Sequence, residues 1–251
     1  MVDRILTALP VYNEESHVAE VLSEVLHHVD NVLVVDDGSS DGTSAILARE
    51  FPGVHVRRHL TNRGYGAALQ TAFAFALNYG YDVLVTMDCD GQHQPQFLRQ
   101  IAAQVNQPDH PVDLVSGSRY LKSFGDNSVP PEDRRAINAR ITRCLNERLG
   151  LSITDAFCGF KAYRVSALAD LDITDSGYAM PLQLWVQAVD LGWRISEFAV
   201  PLVYLNEARS FGGSLDDATF RLNHYRSVLN NELQRRGMTQ RFTSDCGSTG
   251  V

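Results

Sequence analysis

The residues in this chain best suited to chemistry are two carboxylates one position apart, Asp88 and Asp90, followed by Gly91, Gln92 and His93. They end an apolar run, Val83 to Met87, that reads as a buried strand. Carboxylates at i and i+2 past a strand end converge on one hard divalent cation when the chain turns, and Gly91 permits the turn. Gln92 offers a further oxygen to that ion, whereas His93 suits a hydrogen-bonding neighbour better than a ligand of an oxygen-loving metal. A cation at the carboxyl edge of an α/β sheet is placed to neutralise a nucleotide diphosphate. Taken alone, the Asp-x-Asp pair fits a solvated turn equally well.

Three other segments carry the same kind of chemistry. Val32 to Val35 runs into Asp36-Asp37-Gly38-Ser39-Ser40-Asp41-Gly42-Thr43, again an apolar strand, an acidic pair and a glycine-rich turn. Asn62-Arg63-Gly64-Tyr65-Gly66 precedes a long helix whose amino terminus favours an anion, although a tight strand-to-helix turn has the same composition. Ser116-Gly117-Ser118-Arg119-Tyr120 brings an arginine to the strand end, where it can bind phosphate oxygens bidentately or pair with a site carboxylate. Asp155 stands before the small turn Ala156-Phe157-Cys158-Gly159 and reads by itself as a cap or ion-pair partner.

The elements that must position these residues alternate through the first half. Strands are expected at Ile5 to Leu9, Val32 to Val35, Val54 to Arg57, Val83 to Met87 and Val112 to Ser116. Helices fall between them: Val18, Val21, Leu22 and Val25 on one stripe with Asn13 or Ser16 as cap, then Thr43 to Glu50, Ala67 to Asn78 and Pro95 to Val105. That alternation predicts an α/β fold, with a mostly parallel sheet flanked by helices on both faces. Beyond it, Ser123 to Pro131 reads as a mobile loop and Glu132 to Leu149 as a helix with the stripe Ile137, Ile141, Leu145 and Leu149. Met180 to Leu191 and Asp216 to Arg236 read as further helices, and Trp193 to Tyr204 as an extended segment broken at Pro201. Glu207 to Ser214 looks like a flexible loop, and the tail from Thr243 lacks the composition for a packed core.

Composition narrows the class. A chain of 251 residues with 44% hydrophobic and 21% charged side chains can bury the core of one large domain. The net charge of -8 argues against a dedicated nucleic-acid binder, which usually carries a basic face. Four scattered cysteines with no C-x-x-C pair favour reduced thiols and a cytoplasmic setting. A signal-peptide core and any apolar stretch near 18 residues are missing, so contact with a membrane is expected only from its surface.

Together the segments resemble the family 2 glycosyltransferases of the GT-A fold, in the branch of dolichyl-phosphate mannose synthases and bacterial polyprenyl-phosphate glycosyltransferases. The likeness lies in Leu9-Pro10-Val11-Tyr12-Asn13-Glu14-Glu15, Val34 to Thr43, Asn62-x-Gly64-Tyr65-Gly66, Asp88 to Pro95, Ser116 to Tyr120 and Asp155-x-x-Cys158-Gly159-Phe160-Lys161-Ala162-Tyr163. It spans about Ile5 to Tyr204. The resemblance implies a GT-A domain over 1–215, Rossmann-like, with a C-terminal helical extension over 216–240 and a disordered tail over 241–251.

It also implies roles. Pro10, Tyr12, Glu14, Asp37 and Gly64 would bind the nucleotide-sugar donor together with Asp88. Asp88, Asp90 and Gln92 would hold Mg²⁺ or Mn²⁺. Arg119, Arg134 and Arg135 would bind the acceptor phosphate, and Asp155 with Asp90 and Arg119 would form the catalytic group. Arg209 and Ser214 mark the late loop over the donor, where relatives often continue with lysine and this chain has Leu215. The expected reaction is inverting hexose transfer from a UDP- or GDP-linked donor to a polyprenyl or dolichyl phosphate. The setting would be cytoplasmic or peripheral at the inner membrane face, with no nucleic-acid partner and a homo-oligomer allowed. Transfer to a glycan or other hydroxyl, or non-catalytic binding of a nucleotide sugar, are the alternatives; the acidic Pro10-Val11-Tyr12-Asn13-Glu14 argues against a nucleotidyltransferase. The Glu132 to Leu149 helix would either lie on an anionic membrane by its stripe and arginines or pack on the core.

Overall fold

A computed structural model describes residues 3–107, 109–125, 128–205 and 212–238. Its elements in chain order are β1 Ile5–Val11, α1 Val18–His28, β2 Val32–Asp36, α2 Thr43–Glu50, β3 His55–Arg58, α3 Tyr65–Asn78, β4 Val83–Thr86, α4 Leu98–Val105, β5 Leu114–Ser118, α5 Glu132–Leu149, β6 Lys161–Arg164, α6 Met180–Asp190, β7 Ile195–Ala199 and α7 Ala218–Arg235. The strands form one sheet in the order β3-β2-β1-β4-β6-β5-β7. Every pairing is parallel except those of β6, which runs antiparallel between β4 and β5. The mostly parallel α/β sheet expected from the alternation is therefore present.

The inner strands are apolar throughout because both faces are covered. Leu6 and Ala8 of β1, Leu33 and Val35 of β2 and Leu84 of β4 join one core with α3, α5, α6 and α7. Their alternates Leu9, Val11, Val32, Val34, Val83 and Val85 join the other core with α1 and α4. The two-residue period of a strand produces this division, and it holds β1, β2 and β4 so that their carboxyl ends meet along one edge.

Strand β6 was not expected, because its four residues, Lys-Ala-Tyr-Arg, show no apolar run. Lys161 is nevertheless buried in the sheet, its Nζ donating to Ser116 Oγ at 2.8 Å and to the Cys158 carbonyl at 2.5 Å. One expectation is corrected. Neither Asn13 nor Ser16 caps α1; His17 is its N-cap, and Asn13 instead accepts the Ser40 N–H at 2.8 Å from a left-handed backbone position, φ 55°. Of the two placements allowed for α5, the stripe Ile137, Ile141, Leu145 and Leu149 takes the second and packs in the core. Among the described residues Cys89 and Cys158 are free, buried thiols. Among the described residues no helix is long and apolar enough to cross a membrane.

Candidate active site

The carboxyl edge of the sheet opens into a cavity of about 700 Å³. Pro10, Tyr12 and Glu14 reach it from the end of β1, Asp37 from β2, Asp88, Asp90 and Gln92 from β4, and Arg119 from β5. Because β6 is antiparallel, its leading segment 154–160 arrives at this same edge. A wholly parallel strand would have carried it to the far side. Helix α3 adds Gly64 and Tyr65 near its amino terminus, and α5 adds Arg134 and Asn138.

Asp37 is the anchor of the β2 corner. Its carboxylate accepts the Arg63 N–H at 2.9 Å and the Gly64 N–H at 2.7 Å, which fixes the turn into α3. It also lies 2.6 Å from His59 Nδ1, and since a carboxylate only accepts, that nitrogen donates. Gly64 has φ 99°, and a Cβ there would fall 2.3 Å from the Ser176 carbonyl oxygen, so a larger residue fits neither backbone nor space. His59, a residue the sequence reading passed over, is thus the buried support of a cavity-lining acid.

Asp88 and Asp90 stand on the turn after β4. Asp88 Oδ1 accepts from the Tyr65 hydroxyl at 3.1 Å, and the Asp88 N–H donates to His93 Nδ1 at 3.1 Å. Asp90 Oδ1 accepts the Gln92 N–H at 3.0 Å, and Gly91 takes φ 72° between them. Burial raises the Asp88 carboxyl above its ordinary value, and the charge of Asp90 adds to this. Two adjacent carboxylates that repel in a dry site are relieved by a cation. The donor set, two carboxylates with an amide side chain at the same cavity, is all oxygen and suits Mg²⁺ or Mn²⁺ rather than a thiophilic metal. Among the described residues no group of three or more His, Cys, Asp or Glu is gathered to hold a metal ion.

Asp155 is fully buried and does not line the cavity. It grips Arg119 with both oxygens, Oδ2 accepting from Nε at 2.7 Å and Oδ1 from the terminal nitrogen at 2.9 Å. Asn138 Nδ2 at 2.8 Å and the Phe157 N–H at 3.1 Å also donate to Oδ1. Burial alone would raise this carboxyl, but the Arg119 guanidinium outweighs it and holds the group at about 2. Arg119, by contrast, keeps 23% of its side chain exposed and faces the cavity. The turn that aims it is fastened by Ser118 Oγ, which accepts the N–H groups of Tyr120 and Leu121.

The remaining expected residues divide. Arg134 lines the cavity with its guanidinium 5.8 Å from the Tyr204 ring centre, whereas Arg135 is exposed and outside the lining. Ser214 lies in a short 3₁₀ turn, Gly213–Asp216, next to the lining residue Gly212. Arg209 lies outside the described residues. The structure adds Asn138, Tyr178, Arg221 and Tyr225, none of them legible as site residues. The last two belong to α7, so that helix is a wall of the cavity as well as a C-terminal extension. Its polar sequence carried no signal of this.

Paired carboxylates and an inward arginine at the carboxyl edge of this sheet order fit a glycosyltransferase of the GT-A fold. A family model described as glycosyl transferase family 2 matches residues 7–172, and the chain belongs to that family. It is 37% identical over 225 residues to an undecaprenyl-phosphate mannosyltransferase of Micrococcus luteus, covering 86% of this chain and 90% of the relative. It is 33% identical over 233 residues to a polyprenol monophosphomannose synthase of Mycolicibacterium smegmatis, covering 87% and 85%. In fold it is similar to glucosyl-3-phosphoglycerate synthase from Mycobacterium tuberculosis, solved with Mn²⁺, UDP-glucose and phosphoglyceric acid. That likeness has a TM-score of 0.70 at 20% identity over 94% of this chain and 80% of the other, and it bears on the fold alone.

Proposed function

We propose that this chain transfers a hexose, with inversion, from a UDP- or GDP-linked donor to a polyprenyl or dolichyl phosphate. The observation that carries the reading is the state of Asp155. Asp155, the acid that a hydroxyl acceptor would call on as its base, is buried and bound to Arg119, so at this point the cavity meets a guanidinium rather than a carboxylate. A hydroxyl acceptor requires a base to remove its proton. A phosphate monoester is already ionised near pH 7, with its second pKa at about 6, and needs only to be bound and aimed. Arg119 and Arg134 suit that task. The names of the two mannosyl-transferring relatives support the same acceptor class.

In this mechanism an acceptor phosphate oxygen attacks the anomeric carbon as the bond to the nucleoside diphosphate breaks, and the diphosphate leaves with the electron pair. Asp37, through the Arg63–Gly64 turn, shapes the pocket in which Tyr12 and Glu14 would receive the nucleoside. Asp88, Asp90 and Gln92 would hold Mg²⁺ or Mn²⁺, which as a Lewis acid supplies charge neutralisation at the diphosphate. Asp155 positions Arg119 and keeps it charged. The acceptor class places the reaction at a membrane surface, reached by a peripheral protein from the cytoplasmic side.

The test is product analysis. The purified protein is given UDP- and GDP-linked glucose and mannose with Mg²⁺ or Mn²⁺, and either a short polyprenyl phosphate or an oligosaccharide. Sugar appearing in the organic phase as a glycosyl phosphate supports the proposal. Transfer only to oligosaccharide hydroxyls, or donor binding with no transfer to either acceptor, overturns it.

A further inference from the structure

Arg221 is a cation the reaction has not yet used. It lies in the first turn of α7, is 2% exposed, and lines the cavity. A guanidinium removed from water this far must be paired and hydrogen-bonded, and the partners it takes are informative. One terminal nitrogen donates to the carbonyls of Leu215 at 2.7 Å and Asp216 at 3.4 Å, both in the 3₁₀ turn Gly213–Asp216. The other donates to Asp133 Oδ2 at 2.6 Å, in the first turn of α5.

One side chain therefore clasps two segments far apart in sequence, and each carries a residue of the cavity wall. Asp133 adjoins Arg134, whose guanidinium faces the cavity beside Tyr204. The turn adjoins Gly212. Asp133 is still 48% exposed, so the pairing does not serve to hide the carboxylate. What it fixes is the place of the α5 first turn relative to α7. The turn itself presents Leu215 and has no cation of its own at that position.

We propose that Arg221 is a positioning residue for the acceptor half of the cavity, acting through Asp133 on Arg134, while its bonds to the Leu215 and Asp216 carbonyls anchor it to the turn before α7. Tyr12, Glu14 and Asp37, the residues proposed for the donor, come from the ends of β1 and β2 rather than from either segment that Arg221 holds. The inference rests on the phosphate-acceptor reading above.

Steady-state kinetics on Arg221→Met, Arg221→Lys, Asp133→Asn and the Arg221→Met/Asp133→Asn double variant test it, with nucleotide affinity measured separately by calorimetry. Misplacement of a binding group by ~1 Å costs up to about a hundredfold. Arg221→Met is therefore expected to raise the acceptor KM by about tenfold or more and to change nucleotide affinity less than about twofold. Arg221→Lys should recover part of the loss. Asp133→Asn should shift the same constant, and the double variant should be no worse than Arg221→Met, as coupled partners require. Acceptor and donor constants rising together, or an acceptor KM unchanged in folded Arg221→Met, would overturn the proposal. If Arg221→Met does not fold, Asp133→Asn decides, because that half-exposed partner can lose its charge without burying a new group; an unchanged acceptor KM there also overturns it. Absence of transfer by the unmodified protein would instead defeat the acceptor reading.

Discussion

The Asp88 carboxylate lies so close to Gly159 that a Cβ on the glycine would stand 2.4 Å from Oδ2 and 2.6 Å from Oδ1. The two residues come from different strands, β4 and the lead into β6, and the register Thr86 opposite Lys161 brings them together. The Gly159 carbonyl is itself held by the Thr86 hydroxyl at 2.8 Å, so the backbone cannot retreat. The glycine is a spatial requirement of the acid beside it.

Gly159→Ala should therefore displace Asp88 and weaken the cation site. The expected loss in kcat/KM is about a hundredfold, the scale of an ångström-sized misplacement. The deficit should diminish as Mn²⁺ is raised, which a metal titration of activity would read.

Asp90→Ala removes one of two oxygen-donor carboxylates and should abolish metal-dependent transfer. Binding stabilises by mass action, about 2.7 kcal/mol at a hundredfold excess over Kd. Thermal unfolding with the donor nucleotide should show an upward shift that needs Mn²⁺ or Mg²⁺ in the native protein. In Asp90→Ala that shift should no longer respond to the metal.

Asp155 gives a pH prediction with a definite sign. Its folded value of about 2 lies below the ordinary 3.8, so the folded state favours the ionised form. The stability it contributes is fully present above about pH 4 and is lost as the pH falls through about 2. The difference is worth about 2 kcal/mol. Asp155→Asn lacks this titration, so the advantage of the native protein over the variant should shrink by that amount between pH 5 and pH 2. Denaturant midpoints across the range would measure it, and a constant advantage would contradict the pairing with Arg119.

Asp37→Ala leaves the N–H groups of Arg63 and Gly64 and the Nδ1 of His59 without their acceptor, while His59 Nε2 keeps Thr71 Oγ1 at 2.9 Å. Each orphaned buried donor costs about 1–3 kcal/mol. Lower stability and weaker nucleotide binding are expected together, and calorimetry against the donor nucleotide would show whether the turn Asn62–Gly64 belongs to the donor pocket.

Much of the α/β frame was legible because β1, β2, β4 and β5 are apolar runs ending in turn residues, and a buried parallel strand can hardly be written otherwise. Helix α5 was readable to its bounds, with Gly150 closing it in a left-handed conformation, φ 67°. Strand β6 was not, because four residues with a lysine at one end and an arginine at the other carry no period. Its place depends on its ladders with β4 and β5 and on the bonds Lys161 Nζ donates to Ser116 Oγ and the Cys158 carbonyl, groups distant in sequence or outside the strand. The acidic strand ends and Arg119 announced themselves by type and position. Asn138, Arg221 and Tyr225 sit in polar helices where every residue type is ordinary.

The sequence by itself determined the strand ends, their carboxylates and the glycines of their turns, since these follow from local backbone and burial rules. The tertiary structure alone decided what each acid does. Asp155 and Asp88 both lie in short turns beside glycine, yet one is sealed against Arg119 and the other faces the cavity. That difference follows from one antiparallel strand and from the helices packed behind it. Charge placement in space is set by long-range packing, which no local pattern encodes.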